Sequence, residues 1–486
     1  MELTHEACYR ALVARDRRFD GRFFTGVRTT GVYCRPVCPA RTPAARNCEF
    51  FACAAAAEAA GYRACRRCRP ETAPGTPAWS GTSATVARAL RLIDDGALDR
   101  GGVEALAARL GVGDRHLRHL FADQLGAAPL AVAQTCRAHF AKRLIEESEI
   151  SMAQVAAAAG FQNVRRFNAA VQASFARTPT EIRALARGAT ARTTSGAITL
   201  LLPVRAPFDA GSMLAWFRAH AVPGVEDVQA DRYRRTVALG DFVGVLDLSF
   251  ARDPALRVAL PVAAAPHLGR VVERVRALFD LESDSDAIAA HLGASPVLGA
   301  LVGLRPGVRV PGCWDRFEGA VRAVLGQQVS VAAAATLIGR VAARCGQRLP
   351  GPGPLQVLFP RPEELAGDSL EGVGLPATRA RTLQVLARAV LAGEPILELA
   401  PDLETAVRRL RALPGIGDWT AQVIAMHVLR EPDAFPAGDL ALRRALAGPD
   451  GTLPSAAELT AQAEAWHPWR AYAAHLLWRR PSPPLE

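Results

Sequence analysis

The sequence predicts a multidomain, mainly α-helical protein. Its expected parts are a small cysteine-rich module, two helix-turn-helix units, a small α+β subdomain and a helical domain built around a helix-hairpin-helix. Three observations predict this. Seven of the ten cysteines precede Arg69. A helix–glycine–helix plan occurs twice between residues 84 and 187. Strand-like runs between residues 197 and 260 give way to almost continuous helical patterning from His267 onward. With 486 residues, half of them hydrophobic, the chain is long enough to bury several cores.

Residues 70–83 and 187–196 are rich in Pro, Gly, Ser and Thr and read as linkers. They set expected domains at 1–72, 84–187, 197–283 and 284–486. The net charge of +11 suits a polyanionic partner, most simply nucleic acid. Basic residues are almost all arginine, and Lys142 is the only lysine. The first residues mix Glu2, Glu6, Arg10 and Asp16 with apolar side chains, so no secretory h-region is expected. No apolar run is long enough to span a bilayer, and a cytoplasmic, nucleoid-associated protein with no membrane partner is expected.

In the helical module, residues 103–111 form a short amphipathic pattern ending at Gly111. Residues 114–125 follow with Leu117, Leu120, Phe121 and Leu125 on one face. The plan repeats at 152–159, a turn at Gly160, and 164–175 with Val164, Phe167, Val171 and Phe175 as its apolar face. This is the helix-turn-helix plan, although a plain bundle would show the same helix pairs. Arg115 and Arg118 in one second helix, and Arg165 and Arg166 in the other, suit phosphates and base edges.

Cys34 and Cys38, then Cys65 and Cys68, form two short pairs separated by one stretch of chain. Four thiolates so spaced suit tetrahedral Zn, either as a structural knob or as a reactive centre. Residues 24–41 (FTGVRTTGVYCRPVCPAR) and 61–70 (GYRACRRCRP) resemble the N-terminal domain of the Ada alkylation-response family. The helix-turn-helix module is similar to the AraC-like part of that family. The resemblance implies that Cys34 is both ligand and methyl acceptor, with Cys38, Cys65 and Cys68 as the other ligands.

Zn keeps coordinated cysteines ionised at neutral pH. Four thiolates and Zn²⁺ sum to roughly −2, which repels DNA phosphates but not an uncharged methyl phosphotriester. Methylation of Cys34 then lowers the charge to about −1 and raises DNA affinity. Arg28, Thr29, Thr30, Arg35 and Arg41 flank the pairs and are expected to hold the DNA backbone. The activator reading implies promoter DNA and RNA polymerase as partners. The Pro-Cys-His-Arg run of the family's second methyltransferase is missing from the sequence, so O6-methylguanine reversal is not expected.

Residues 413–421 (LPGIGDWTA) lie between two helical patterns, 404–412 and 418–430. Gly415 and Gly417 permit a sharp turn whose amides face a phosphate, the helix-hairpin-helix signature. Asp439 follows, ahead of a helical run at 440–446. A carboxylate there either caps that helix or stabilises an oxocarbenium-like state, or both.

Residues 305–332, 413–421 and 464–478 resemble the 3-methyladenine DNA glycosylase II (AlkA) family. The resemblance spans nearly all of 198–480 and implies a helical glycosylase domain that flips alkylated bases out of duplex DNA. It makes Asp439 the catalytic carboxylate and places Trp419, Trp478 and Trp216 in an aromatic pocket that favours cationic bases. The wedge position falls at Gln328, beside Gln327, where the family's well-studied member has leucine. A pocket tyrosine is replaced by Val423. Carbonyls of Arg411, Leu413 and Ile416 are implied ligands of a monovalent cation.

The superfamily's Schiff-base lysine position holds Trp419, so a monofunctional enzyme that leaves an abasic site is expected. The cysteine run of an iron–sulfur cluster is missing, so no such cluster is expected. Two other readings stay open: a regulator whose C-terminal part only binds DNA, and a glycosylase for oxidised or mismatched bases.

Overall fold

The computed structural model describes residues 4–73, 84–94, 96–148, 150–187, 197–250, 255–351, 353–448 and 450–479. The central parts of both expected linkers, 74–83 and 188–196, lie outside the described residues. The chain forms two compact units. One comprises Met1–Ala206, Ala251–Glu273 and Leu281–Asp284; the other comprises Pro207–Phe250, Arg274–Asp280 and Ser285–Glu486.

The first unit opens with helix His5–Ala14, capped by the Thr4 side chain. Strands β1 (Phe24–Val27), β2 (Val32–Cys34), β3 (Cys48–Phe51) and β4 (Arg63–Ala64) then make a sheet in the order β3-β1-β2-β4. β1 is antiparallel to β2 and β3, whereas β2 and β4 run parallel with Tyr33 opposite Ala64. That parallel pairing sets Cys34, the last residue of β2, beside Cys65, the first residue after β4.

The helix pairs of the next module fall where the periodicity predicts them: Val103–Arg109 with Asp114–Leu125, and Met152–Ala158 with Val164–Phe175. Gly111 and Gly160 turn between them at φ +69° and +79°, a left-handed backbone that side chains resist. Leu117, Phe121, Phe167 and Val171 are fully buried. Val164 is a correction: it is the first helical residue and stays exposed.

Between the two pairs runs helix Pro129–Glu147, buried on several faces at once. Its Thr135 and His139 meet Glu58, which also accepts a hydrogen bond from the Tyr33 hydroxyl. One and two turns further, Lys142 and Glu146 close on Arg69 and Glu71. Burial opposes ionisation of Glu71, yet the Lys142 ammonium beside it holds its carboxyl below the usual range. Strands Ala197–Pro203 and Ala255–Pro261 pair antiparallel within this unit.

In the second unit, strands Glu226–Val228, Arg232–Leu239 and Phe242–Phe250 form an antiparallel meander beside helix Ala210–Ala219. The strands expected between 197 and 260 are thus all present, divided between the units. A buried charge cluster ties the meander to helix Arg316–Leu325. Arg235 pairs with Glu318 at 2.7 Å, and Arg322 reaches Glu226 at 2.8 Å and also Glu318. Burial opposes ionisation of Glu318, but the two guanidiniums hold its carboxyl below the usual range.

Removing that carboxylate leaves two buried guanidiniums to share the single carboxylate of Glu226. Glu318→Ala should therefore destabilise the protein by about 3–5 kcal/mol, read as a lower denaturant midpoint at unchanged slope. Glu318→Gln, which keeps an acceptor, should cost less.

Candidate functional sites

The four cysteines converge. Their Sγ atoms all lie within 4.8 Å of one another, among the buried residues Val27, Cys34, Cys38, Cys65 and Cys68. A tetrahedral site with Zn–S near 2.3 Å has sulfur–sulfur edges of about 3.8 Å, so the cluster fits Zn²⁺ with little adjustment. A backbone turn closes each pair: Cys38 N–H donates to Arg35 O, and Arg69 N–H to Cys65 O. Arg35 N–H also points at Cys68 Sγ, at 3.3 Å, the kind of contact that stabilises a thiolate.

Hydrogen bonds among the four sulfurs pull Cys38 down to about 7 and Cys65 below the usual thiol range. They push Cys34 up, while Cys68 also rises despite the hydrogen bond it accepts from Cys34. Four charges cannot coexist in this space without a cation.

Of the flanking residues, Arg28, Thr29, Thr30 and Arg41 are exposed around the cluster. Arg35 is placed differently. Its guanidinium turns inward to Asp20, the Thr72 hydroxyl and the Cys68 carbonyl, so it braces the cysteine loops. Arg115, Arg118, Arg165 and Arg166 are all exposed on the two second helices, at or near equivalent turns. Arg118 lies loosely beside Asp114 and Glu104, at 3.6 and 3.7 Å.

In the second unit the hairpin joins helices Leu403–Arg411 and Asp418–His427, the latter ending three residues before the expected 430. Gly415 has φ +86°, and a Cβ there would strike Thr382 Oγ1 at 1.9 Å, so only glycine fits. Gly417 caps the second helix with no side-chain acceptor, leaving its first N–H groups open to a phosphate.

Gln327 and Gln328 occupy the turn after helix Arg316–Leu325 and have different environments. Gln327 Nε2 donates to Gly415 O and Thr420 Oγ1, at 3.1 and 2.8 Å, and so ties this turn to the hairpin. Gln328 is exposed at φ +53°, a strained geometry for a residue with a side chain. The sequence gives no sign of the tether, because its partners lie about 90 residues away.

Asp439 is half-buried and capped on both oxygens. Trp478 Nε1–H and the Leu442 amide donate to Oδ1, each at 3.0 Å, and Trp419 Nε1–H donates to Oδ2 at 3.0 Å. Three donors and no acceptor suit an ionised carboxylate. Asp439 therefore caps helix Leu440–Ala445 and holds both indoles at once.

Trp216, the third residue expected in the pocket, joins through histidines. Trp216 stacks on His220 at 4.1 Å and on His427 at 5.5 Å, and His427 lies parallel to Trp478 at 6.4 Å. His475 stands edge-on to both His427 and Trp478. The three tryptophans thus come together as expected, but the histidines between them had no signal in the sequence. Val423, at the missing-tyrosine position, is half-buried.

A carboxylate held by two indole N–H groups, one helix from a glycine-turned hairpin, is the arrangement of a helix-hairpin-helix base-excision enzyme. Here it shares a chain with a thiolate metal centre and two helix-turn-helix units. Four family models match in chain order. They are the metal binding domain of Ada at 7–71, a helix-turn-helix domain at 106–184, the AlkA N-terminal domain at 199–315, and the HhH-GPD superfamily base excision DNA repair protein at 321–471.

A Mycobacterium tuberculosis protein described as "Probable bifunctional transcriptional activator/DNA repair enzyme AlkA" is 45% identical over 477 residues, covering 97% of this chain and 96% of the relative. The chain belongs to this family of bifunctional transcriptional activator/DNA repair enzymes. DNA-3-methyladenine glycosylase 2 of Escherichia coli is 37% identical over 56% of this chain and 94% of its own length. The Escherichia coli bifunctional transcriptional activator/DNA repair enzyme Ada is 36% identical over 30% of this chain and 40% of its own length. Among the described residues no helix is long and apolar enough to cross a membrane.

Proposed function

We propose that the protein excises alkylated bases from duplex DNA and reports methylated DNA backbone to a promoter. The observation that carries the first activity is the carboxylate of Asp439 held by three donors against two pocket tryptophans. Gly415 and Gly417 bind a backbone phosphate, and Gln328 fills the gap left by the flipped nucleotide. A monovalent cation on the carbonyls of Arg411, Leu413 and Ile416 would strengthen the same phosphate contact. The flipped base lies against the tryptophans, whose faces favour its positive charge.

As the N-glycosidic bond breaks, Asp439 stabilises the cationic sugar and directs water to the anomeric carbon. The bonding electrons leave with a base that is already cationic, so no general acid is required. Lys142 is in the other unit, and the chain has no second lysine to form a Schiff base.

For the second activity, bound Zn²⁺ would keep the cysteine sulfurs ionised and nucleophilic. Cys34 Sγ forms a bond to the methyl carbon of a methyl phosphotriester while the methyl–oxygen bond breaks, and the phosphate recovers its charge. The sulfur becomes a thioether and loses one negative charge. The module then approaches DNA more easily, and Arg115, Arg118, Arg165 and Arg166 engage the promoter, with RNA polymerase as the recruited partner. Residues 1–72 act as sensor, 84–187 as promoter reader, and 197–283 with 284–486 as glycosylase.

Incubation with methylated duplex should release free 3-methyladenine and 7-methylguanine and leave intact strands containing abasic sites. Borohydride should trap no protein–DNA adduct. A trapped adduct would refute the monofunctional mechanism, and absence of free methylpurines would refute the glycosylase reading.

A further inference from the structure

The aromatic column contains polar atoms that packing alone does not account for. His427 lies between Trp216 and Trp478, near-parallel to both at 27° and 15°. Its Nδ1 is 2.7 Å from Pro311 O, which requires Nδ1 to carry the proton and leaves a lone pair on Nε2. That Nε2 has no partner among the described residues and is not among the buried atoms. Beside it, His475 is 1% exposed and its Nε2 is buried without a partner. Native cores satisfy nearly all buried polar atoms, so the unmatched His475 nitrogen is unusual, and the accessible His427 Nε2 beside it is the acceptor that a polar guest can reach.

The surroundings keep the acceptor neutral. Burial pushes His427 down to about 4, and His220 stacked beyond Trp216 adds to this. His220 and His475 are themselves lowered, first by burial; the charge of Arg322 then acts on His220, and His427 and Arg479 act on His475. A cationic base therefore meets no competing positive charge on the stack.

We propose that His427 determines base specificity, its Nε2 accepting a hydrogen bond from an amino group of the flipped alkylated purine. The idea rests on the glycosylase reading above and adds a chemical selection to it. The positive charge of an alkylated purine makes its amino N–H a stronger donor, so the bond favours alkylated over ordinary purines. It supplies a directional contact in a pocket that has lost its tyrosine at Val423. A stack of indoles alone attracts any flat cation, whereas an acceptor selects among them.

The test compares native protein, His427→Phe and His427→Gln in single-turnover release of 3-methyladenine from methylated duplex. Phenylalanine keeps a flat ring in the stack and removes the acceptor; glutamine removes the ring and keeps one. Release by His427→Phe should be slower by roughly 10- to 100-fold, and His427→Gln should recover most of the native rate. A purely structural histidine gives the reverse order. Native rates in His427→Phe, or a His427→Gln variant as slow as His427→Phe, overturn the proposal while leaving the glycosylase reading intact. No release by native protein overturns that reading and this proposal together.

Discussion

Asp439→Asn should slow methylpurine release by about 10²- to 10³-fold, measured in single turnover on methylated duplex. The argument is one of hydrogen-bond polarity. The carboxylate accepts from two indole N–H groups and one amide, and each oxygen has at least one donor. An asparagine offers one accepting oxygen and one NH₂ group, so an N–H must face an N–H wherever the side chain is turned. The charge that stabilises the cationic sugar is lost, and the two tryptophans lose their common anchor. Asp439→Ala should show at least as large a loss. Duplex binding through the hairpin should survive in both, because Gly415, Gly417 and the Gln327 tether are untouched. Equal release by native and Asp439→Asn protein would remove this residue from the mechanism.

Methyl-phosphotriester DNA should transfer one methyl group per chain, all of it to Cys34, as located by peptide mass spectrometry. Cys34→Ser should reduce this to none, since a serine hydroxyl is a far weaker nucleophile and a poorer zinc ligand. Chelation of zinc should also loosen the first residues of the chain. The four sulfurs are part of that module's buried core, and without a cation their protons must crowd into the same space. Cys38→Ser separates the two roles: it should weaken zinc binding yet place whatever methyl is transferred on Cys34. A methyl found on Cys38, Cys65 or Cys68 in native protein would reassign the acceptor.

What could be read in the chain depended on how local its cause was. The two cysteine pairs, the helix-turn-helix pairs and the LPGIG turn are set by neighbours a few residues apart, and each forms where the pattern places it. Strands Ala197–Pro203 and Phe242–Phe250 fall within the strand-like stretch expected between 197 and 260. Asp439 was legible as a cap because a carboxylate directly before a helical run is the usual sign of one.

Helix Pro129–Glu147 was not legible. It is buried on several faces, with Thr135, Lys142 and Arg143 among its buried residues, so it has no single apolar stripe. Arg35 looked like a phosphate ligand, but Asp20, fifteen residues upstream, engages its guanidinium. The histidines of the aromatic column were invisible for the same reason: His220, His427 and His475 acquire meaning only when helices over 200 residues apart are folded together.

The burial of Lys142 has a consequence beyond catalysis. It is the chain's sole lysine, and Glu71 and Glu146 close over its ammonium at the joint between the cysteine module and helix Pro129–Glu147. The folded surface therefore presents no lysine amine. Any acylating reagent, cross-linker or modifying enzyme that seeks a lysine side chain finds a single target, shut while that joint is closed. The protein carries a built-in chemical gauge of whether its cysteine module is seated.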